Sequence, residues 1–304
     1  MIYTITLNPS IDYIIHVNDF KAGELNRSTE DYINVGGKGI MVSKLLSNIG
    51  TENIAMGFLG GFTGDYIRQW FDQNQLQHDF VNVSQNSRIN VKLKSNLESE
   101  INGQGPYISK TEQVLFLNKL EQLKAGDTLI ISGSSVPGAD SDIIRQMIDL
   151  CRQKKVDFVI DTTGDVLQQS ICQKPLLIKP NLDELGEIFG HKITSTEEAI
   201  LYGKRCLEWG AKYVIVSMGG KGALFLETNS VYYAAPVSGK LVNSVGAGDS
   251  MIAGFISHIK QEQSPLSSFQ FAVAAGTATA FCEDIATHEE IKTIYPEVRI
   301  SRLY

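Results

Sequence analysis

A doubly wound, mostly parallel α/β sheet flanked by helices, carrying a small β-sheet lid, is the fold that three features of this sequence predict. From about residue 128, short apolar runs at Thr128–Ser132, 156–161, 176–179 and Tyr213–Ser217 alternate with amphipathic stretches of helical length. That is the punctuation of βαβ units and a parallel sheet covered on both faces. The first hundred residues break the rhythm: 12–17, 32–35 and Arg88–Lys94 read as strands separated by polar turns without crossover helices, for which antiparallel pairing is natural. Helix-period stretches at Lys38–Asn48 and 65–76 interrupt these strands, so they form a sheet inserted into the main unit, placed to close over a crevice.

Taken in order, residues 1–7 alternate as a first strand and lack the basic and apolar regions of an export signal. No repeat or low-complexity linker divides the chain, so residues 1–304 are expected to form one unit, with lid strands inserted from about 12–35 and 86–108. With 304 residues, 43% of them hydrophobic, the chain can bury a large core. Its 27 basic and 34 acidic residues leave a net charge of −7 with no long run of either sign, which argues against a nucleic-acid or anionic-membrane partner. Cys151, Cys172, Cys206 and Cys282 are widely spaced and suit neither zinc nor a disulfide scaffold, and no apolar stretch reaches the roughly 20 residues that span a bilayer. A soluble, cytoplasmic protein is expected.

The most informative stretch is 243–250, Asn-Ser-Val-Gly-Ala-Gly-Asp-Ser, followed by an apolar helix-period run. Gly246 and Gly248 just before a helix let backbone N–H groups converge on one point, and the positive end of the helix dipole adds to the attraction, making an anion hole. Asp249 directly after it would repel phosphate unless it takes a proton from an attacking hydroxyl; its bland alternative is a helix cap, which needs no pair of glycines. Met251 stands where a GxGxxG motif needs its third glycine, and no GxxxxGK[ST] motif exists, so a dinucleotide-binding dehydrogenase and a P-loop enzyme both lose support. A second cluster, Asn34-Val35-Gly36-Gly37-Lys38-Gly39, joins a lid strand to a helix, where exposed backbone approaches a polar ligand and Lys38 supplies charge.

Together these two clusters resemble the ribokinase-like (PfkB) family of sugar kinases, and the resemblance runs over essentially the whole chain. It implies ATP as phosphoryl donor with Mg²⁺, and for many members a homodimer joined through the lids. It also implies that Asp249 is the catalytic base and that the Gly246, Ala247 and Gly248 amides form the anion hole for the γ-phosphoryl group. Asp12, after the first strand, matches the carboxylate that accepts hydrogen bonds from sugar hydroxyls. Lys179, Asn181 and Glu184, in Lys-Pro-Asn-Leu-Asp-Glu, match the Asn-x-x-Glu element that organises magnesium and its waters; without the match they read as a helix start. Ser217, Gly219, Gly220 and Gly222 resemble the nucleotide-binding loop.

Arg88 and Lys92 lie on one face of a lid strand because their spacing is even. An uncharged sugar would not need them, whereas a sugar phosphate would; Arg27 and Lys38 are further candidates to hold its phosphate. Residues 98–106 together with Arg-Ile-Asn-Val-Lys resemble family members that take fructose 1-phosphate and phosphorylate its 6-hydroxyl. Tagatose 6-phosphate and fructose 6-phosphate are the alternative acceptors, and a non-catalytic sugar-phosphate sensor is the rival of another class. One departure stands out: Met41 occupies the position where the family usually carries an asparagine that reaches a sugar hydroxyl.

Overall fold

The computed structural model describes residues 1–139 and 142–304. The chain opens with β1 (Ile2–Thr6), passes into β2 (Ser10–His16) and β3 (Glu30–Gly36), and returns through α1 (Lys38–Asn48) to β4 (Asn53–Gly60). Then come α2 (Gly61–Gln73), β5 (Val81–Val83), β6 (Arg88–Lys94), β7 (Ser99–Ile101) and α3 (Lys110–Leu120). The βα rhythm follows in β8 (Thr128–Ser132), α4 (Ile143–Lys154), β9 (Asp157–Asp161), α5 (Gly164–Ile171), β10 (Leu177–Ile178), α6 (Leu182–Phe189), α7 (Thr196–Trp209) and β11 (Tyr213–Ser217). The chain closes with β12 (Ala223–Glu227), β13 (Ser230–Ala234), α8 (Ala247–Lys260), α9 (Pro265–Phe281), α10 (His288–Ile294) and β14 (Ile300–Arg302).

Ten strands form the main sheet in the order β14-β13-β12-β11-β10-β9-β8-β1-β4-β5, and four form the lid in the order β3-β2-β6-β7. In the main sheet β1 is paired in parallel with β4 on one side and β8 on the other. The winding direction reverses there, so the crevice at the carboxyl ends of β1 and β8 is where a doubly wound sheet receives its ligand. Beyond β11 the pairing turns antiparallel through β12, β13 and β14.

The expected antiparallel lid is half right. β2 pairs antiparallel with β3, and β6 with β7, but β2 and β6 run parallel in full register from Ser10 opposite Arg88 to His16 opposite Lys94. The cause is the connection: a complete excursion through α1, β4, α2 and β5 separates them, long enough to bring the chain back to the same end of the lid. Two helices start earlier than their apolar periodicity suggests. α2 begins at Gly61, and α8 begins at Ala247, so the glycine segment is itself the first turn.

Apolar clusters pack on both faces of the main sheet, one built around Ile5, Phe58, Phe116 and Val214, the other around Val42, Phe225, Phe255 and Phe269. Within the second, α8 lies against α9 at close range. A Cβ at Gly276 would fall 2.5 Å from Met251 Cγ, and one at Gly254 would fall 3.1 Å from Ala275 Cβ. This contact fixes the depth and direction of α8, and with them the position of its N-terminus.

Candidate active site

Gly246 is the N-cap of α8 with φ 79°, a left-handed conformation that suits glycine, and Asp249 lies in the first turn. The N-cap position is held by Gly246, so Asp249 is not the N-cap residue of this helix. Asp249 is buried and surrounded by charge: Asp161, Lys179, Lys38 and Glu184 all lie close enough to act on it. Burial pushes its carboxyl up to about 7; Asp161 and Glu184 add to the rise, and Lys179 and Lys38 oppose it. The first amides of a helix have no carbonyl partner one turn back within the helix. Ala247 is different from the expectation here: its N–H is donated to the Ser244 carbonyl at 3.3 Å, closing a turn. The Lys179 ammonium lies against Gly248, where a Cβ would sit 2.9 Å from Nζ.

Asp161, at the carboxyl end of β9, is the centre of the charge cluster. Its Oδ1 is 3.6 Å from Lys179 Nζ and its Oδ2 3.3 Å from Lys38 Nζ, whose other neighbour is Glu184 Oε1 at 3.8 Å. Burial alone would lower the Lys38 pKa, but Asp161, Glu184 and Asp249 together raise it, so the ammonium stays charged. Asn181 and Glu184 form a reciprocal cap on α6: Asn181 Oδ1 accepts the Glu184 N–H at 2.8 Å, and Glu184 Oε2 accepts the Asn181 N–H at 2.9 Å. The helix-start reading and the site reading therefore coexist, because Oε1 of Glu184 is left facing Lys38. Asp161 Oδ2 is buried and meets the Lys38 ammonium as an ion pair. Among the described residues no three carboxylate, imidazole or thiol side chains are arranged to hold an ion directly. A magnesium ion that keeps most of its waters, held by one or two carboxylates and by substrate phosphates, fits this arrangement.

Across the crevice, the lid supplies Asp12. Its Oδ1 accepts from Ser10 Oγ at 2.7 Å and from Asn90 Nδ2 at 2.8 Å, and its Oδ2 faces Lys92 Nζ at 3.7 Å. A Cβ at Gly36 would crowd both Ser10 Oγ at 2.5 Å and Asp12 Oδ2 at 2.7 Å. Gly37, with φ 131°, turns the chain into α1. A cavity of about 250 Å³ opens between lid and body at the winding reversal, lined by Thr6, Asn8, Gly37, Lys38, Arg88 and Thr162 among others. A larger groove of about 450 Å³ beside Ile54, Leu76 and His78 includes none of these residues.

The four cations expected to hold the acceptor's phosphate separate into three groups. Lys38 and Arg88 line the cavity. Arg88 is half-buried, which lowers its pKa, and it donates to the carbonyls of Asn8 at 3.1 Å and Gly103 at 3.4 Å. Lys92 shares the face of Arg88, as its spacing demands, but its ammonium is engaged between Asp12 and Glu100, the latter directly opposite it on β7 at 3.6 Å. Arg27 is not among the residues that line the cavity. It is exposed in the loop after β2, whose other end carries Ser10 and Asp12, and seven extended residues span about 20 Å.

On the nucleotide side, the Ser217 N–H donates to the Pro180 carbonyl at 3.0 Å, which sets the 217–222 turn beside Asn181. Cβ atoms at Gly219 and Gly220 would meet open space, leaving backbone free for a ligand, whereas one at Gly222 would lie 2.1 Å from the Ala234 carbonyl. Gly222 is thus accounted for by packing. Met41 packs on the apolar clusters beside α1, and its Cγ lies 3.9 Å from where a Cβ on Gly246 would be. Sequence reasoning missed Asp161, Asn90 and Asn8. Only Asp161 carried a signal, a carboxylate at the carboxyl end of a parallel strand.

A buried, charge-tuned aspartate at a helix N-terminus, a cavity lined by two cations and a donor-held carboxylate on the adjoining lid strand are the parts of a phosphotransferase site. The profile of the pfkB family carbohydrate kinases matches residues 5–291, and the chain belongs to that family. It is 47% identical to the 1-phosphofructokinase of Bacillus subtilis over the full length of both chains, and 33% identical to the D-tagatose-1-phosphate kinase of Bacillus licheniformis, again over both full lengths. Phosphofructokinase-2 from Escherichia coli, solved in complex with substrates and products, superposes with a TM-score of 0.92 at 25% identity, covering 98% of this chain and 99% of the other.

Proposed function

We propose that the protein transfers the γ-phosphoryl group of ATP to the 6-hydroxyl of fructose 1-phosphate, giving fructose 1,6-bisphosphate. The observation that carries this reading is the cavity lined by Lys38 and Arg88, with Asp12 on the lid strand beside Arg88 and the buried Asp249 within electrostatic reach of Lys38. Relatives that take ketohexose 1-phosphates support the acceptor. Oδ2 of Asp12 accepts a sugar hydroxyl, while Arg88 and Lys38 meet the resident phosphate. As the sugar O6 bonds to the γ-phosphorus, the bond from that phosphorus to the β-bridging oxygen breaks, ADP leaves, and the hydroxyl proton passes to Asp249. The Gly248 amide and the Lys179 ammonium stabilise charge on the group in flight. Magnesium, when held through water by Asp161, Asn181 and Glu184, supplies electrostatic screening of the phosphates.

A homodimer joined through the lid is part of the same reading. It is supported by the outer lid face, where Ile33, Ile89 and Ile101 are 45%, 43% and 68% exposed. The four cysteines are unpaired and, among the described residues, no helix is long and apolar enough to cross a membrane; both suit a cytoplasmic enzyme. The test is ADP release with MgATP and, in parallel, fructose 1-phosphate, tagatose 1-phosphate, tagatose 6-phosphate, fructose 6-phosphate and fructose. The highest kcat/KM is expected for fructose 1-phosphate. A preference for another acceptor would overturn the substrate assignment, and binding without turnover of any of them would overturn the enzyme.

A further inference from the structure

Asn90 is a buried polar side chain of the lid that the mechanism above does not use. Asn90 is 6% exposed in the middle of β6, in register with Asp12 on β2. Its Nδ2 donates to Asp12 Oδ1 at 2.8 Å, and its Oδ1 accepts the N–H of Gly103 at 3.1 Å. Chemistry sets the orientation of this amide, because an ionised carboxylate only accepts and a backbone N–H only donates. Gly103 belongs to the strap, residues 103–105, that leads from β7 back to the body. The Gly103 carbonyl accepts from Arg88 Nη1 at 3.4 Å, and the Gln104 carbonyl accepts from Asn8 Nδ2 at 2.9 Å. The strap has little room to slide, since a Cβ at Gly103 would lie 2.7 Å from the Ile89 carbonyl.

We propose that Asn90 is a positioning residue for the acceptor sugar: its amide joins Asp12 and the 103–105 strap into one hydrogen-bonded unit, fixing Oδ1 of Asp12 and leaving Oδ2 for the sugar. The inference rests on the reading that Asp12 accepts a sugar hydroxyl. A carboxylate on a short side chain turns readily about its last bond, and two donors on one oxygen stop that rotation. Without Asn90, Ser10 remains on Oδ1 and Lys92 draws on Oδ2, so the oxygen meant for the sugar loses its aim. Nothing in this unit touches the nucleotide side, so the effect belongs to the sugar alone.

The test compares wild type, Asn90→Leu and Asn90→Asp by steady-state kinetics from pH 6 to 8.5, with KM for fructose 1-phosphate and for ATP measured separately and thermal midpoints recorded. Asn90→Leu removes both hydrogen bonds, and the sugar KM should rise about 10- to 100-fold at every pH while the ATP KM stays within about 2-fold of wild type. Asn90→Asp sets a carboxyl beside Asp12, facing Lys92 on its own strand, with Glu100 and Arg88 as the next charges. At pH 8.5 the two carboxylates repel and the sugar KM should rise similarly relative to wild type. As pH falls the pair takes up a shared proton, which restores a donor to Asp12 Oδ1, and the KM should return towards wild type. A side chain that merely supported the lid would lower the thermal midpoint and weaken both substrates without recovery at low pH. That result, or an unchanged sugar KM in Asn90→Leu, overturns the proposal. If wild type prefers a different acceptor, the functional reading falls, and Asn90 is judged by the same pattern in that acceptor's KM.

Discussion

Asp12 on the lid and Asp249 on the body are the same side chain put to opposite uses by their surroundings. Asp12 is held by donors, with Ser10 and Asn90 on one oxygen and Lys92 near the other. Asp249 has no such set: burial and the charge of Asp161 push its carboxyl up to about 7, against the pull of Lys179 and Lys38. A carboxylate saturated with donors is a fixed acceptor that orients a hydroxyl. One left dry beside another acid is poised to take a proton near neutral pH. Hydrogen bonding builds the lid side of the site, and desolvation builds the body side.

Replacement of each aspartate should separate the two uses. Asp249→Asn should lower kcat by about 10²- to 10⁴-fold with little change in either KM, because only proton removal is lost. The same substitution should stabilise the protein. Wild-type Asp249 is protonated in both states below its ordinary value of 3.8, so it contributes no penalty there; as pH rises towards about 7 its ionisation is increasingly favoured in the unfolded chain. The gain from Asp249→Asn should therefore be negligible at pH 4 and reach on the order of 2–4 kcal/mol at pH 8, read from denaturant unfolding at both values. A gain independent of pH would contradict the burial argument.

Asp12→Ala should raise the sugar KM by about 10- to 100-fold and leave the ATP KM alone, as expected for loss of a charge-assisted hydrogen bond. Lys38→Met should be subtler. It removes a charge that holds the Asp249 pKa down, so the acidic limb of the kcat/KM profile should move upward by about one pH unit; a downward move would show that Lys38 acts otherwise. The smallest effect is expected from Met41→Asn. Supplying a polar group near Gly246 should raise kcat/KM for the sugar a few-fold, on the order of 1 kcal/mol, at some expense of apolar packing. No change would show that the site makes no use of that contact.

The contrast also explains what the sequence made legible. Gly-Ala-Gly-Asp and Gly-Gly-Lys-Gly announce the helix terminus and the lid junction because local backbone chemistry demands those residues in that order. Strands β8 and β11 lie where the apolar runs placed them. Asn90 was not legible, and Asp161 only as a carboxylate at the end of a parallel strand, since each matters through partners far away in the chain. The burial of Asp249 depends on the α8–α9 packing, and the charge of Asp161 reaches it only because β9 ends beside α8. For Arg27 and Lys92 a cation's sign is visible in the sequence, but the acid opposite Lys92 on β7 is not.

The difference between the two aspartates can be observed without substrate. With aspartate carboxyls labelled with ¹³C, the resonance missing from Asp249→Asn identifies Asp249 in wild type, and its shift can be followed from pH 4 to 9. A midpoint near 7 that moves upward in Lys38→Met is the predicted result. A midpoint near the ordinary 3.8 would contradict the account, leaving Asp249 an ionised bystander and the base still to be found.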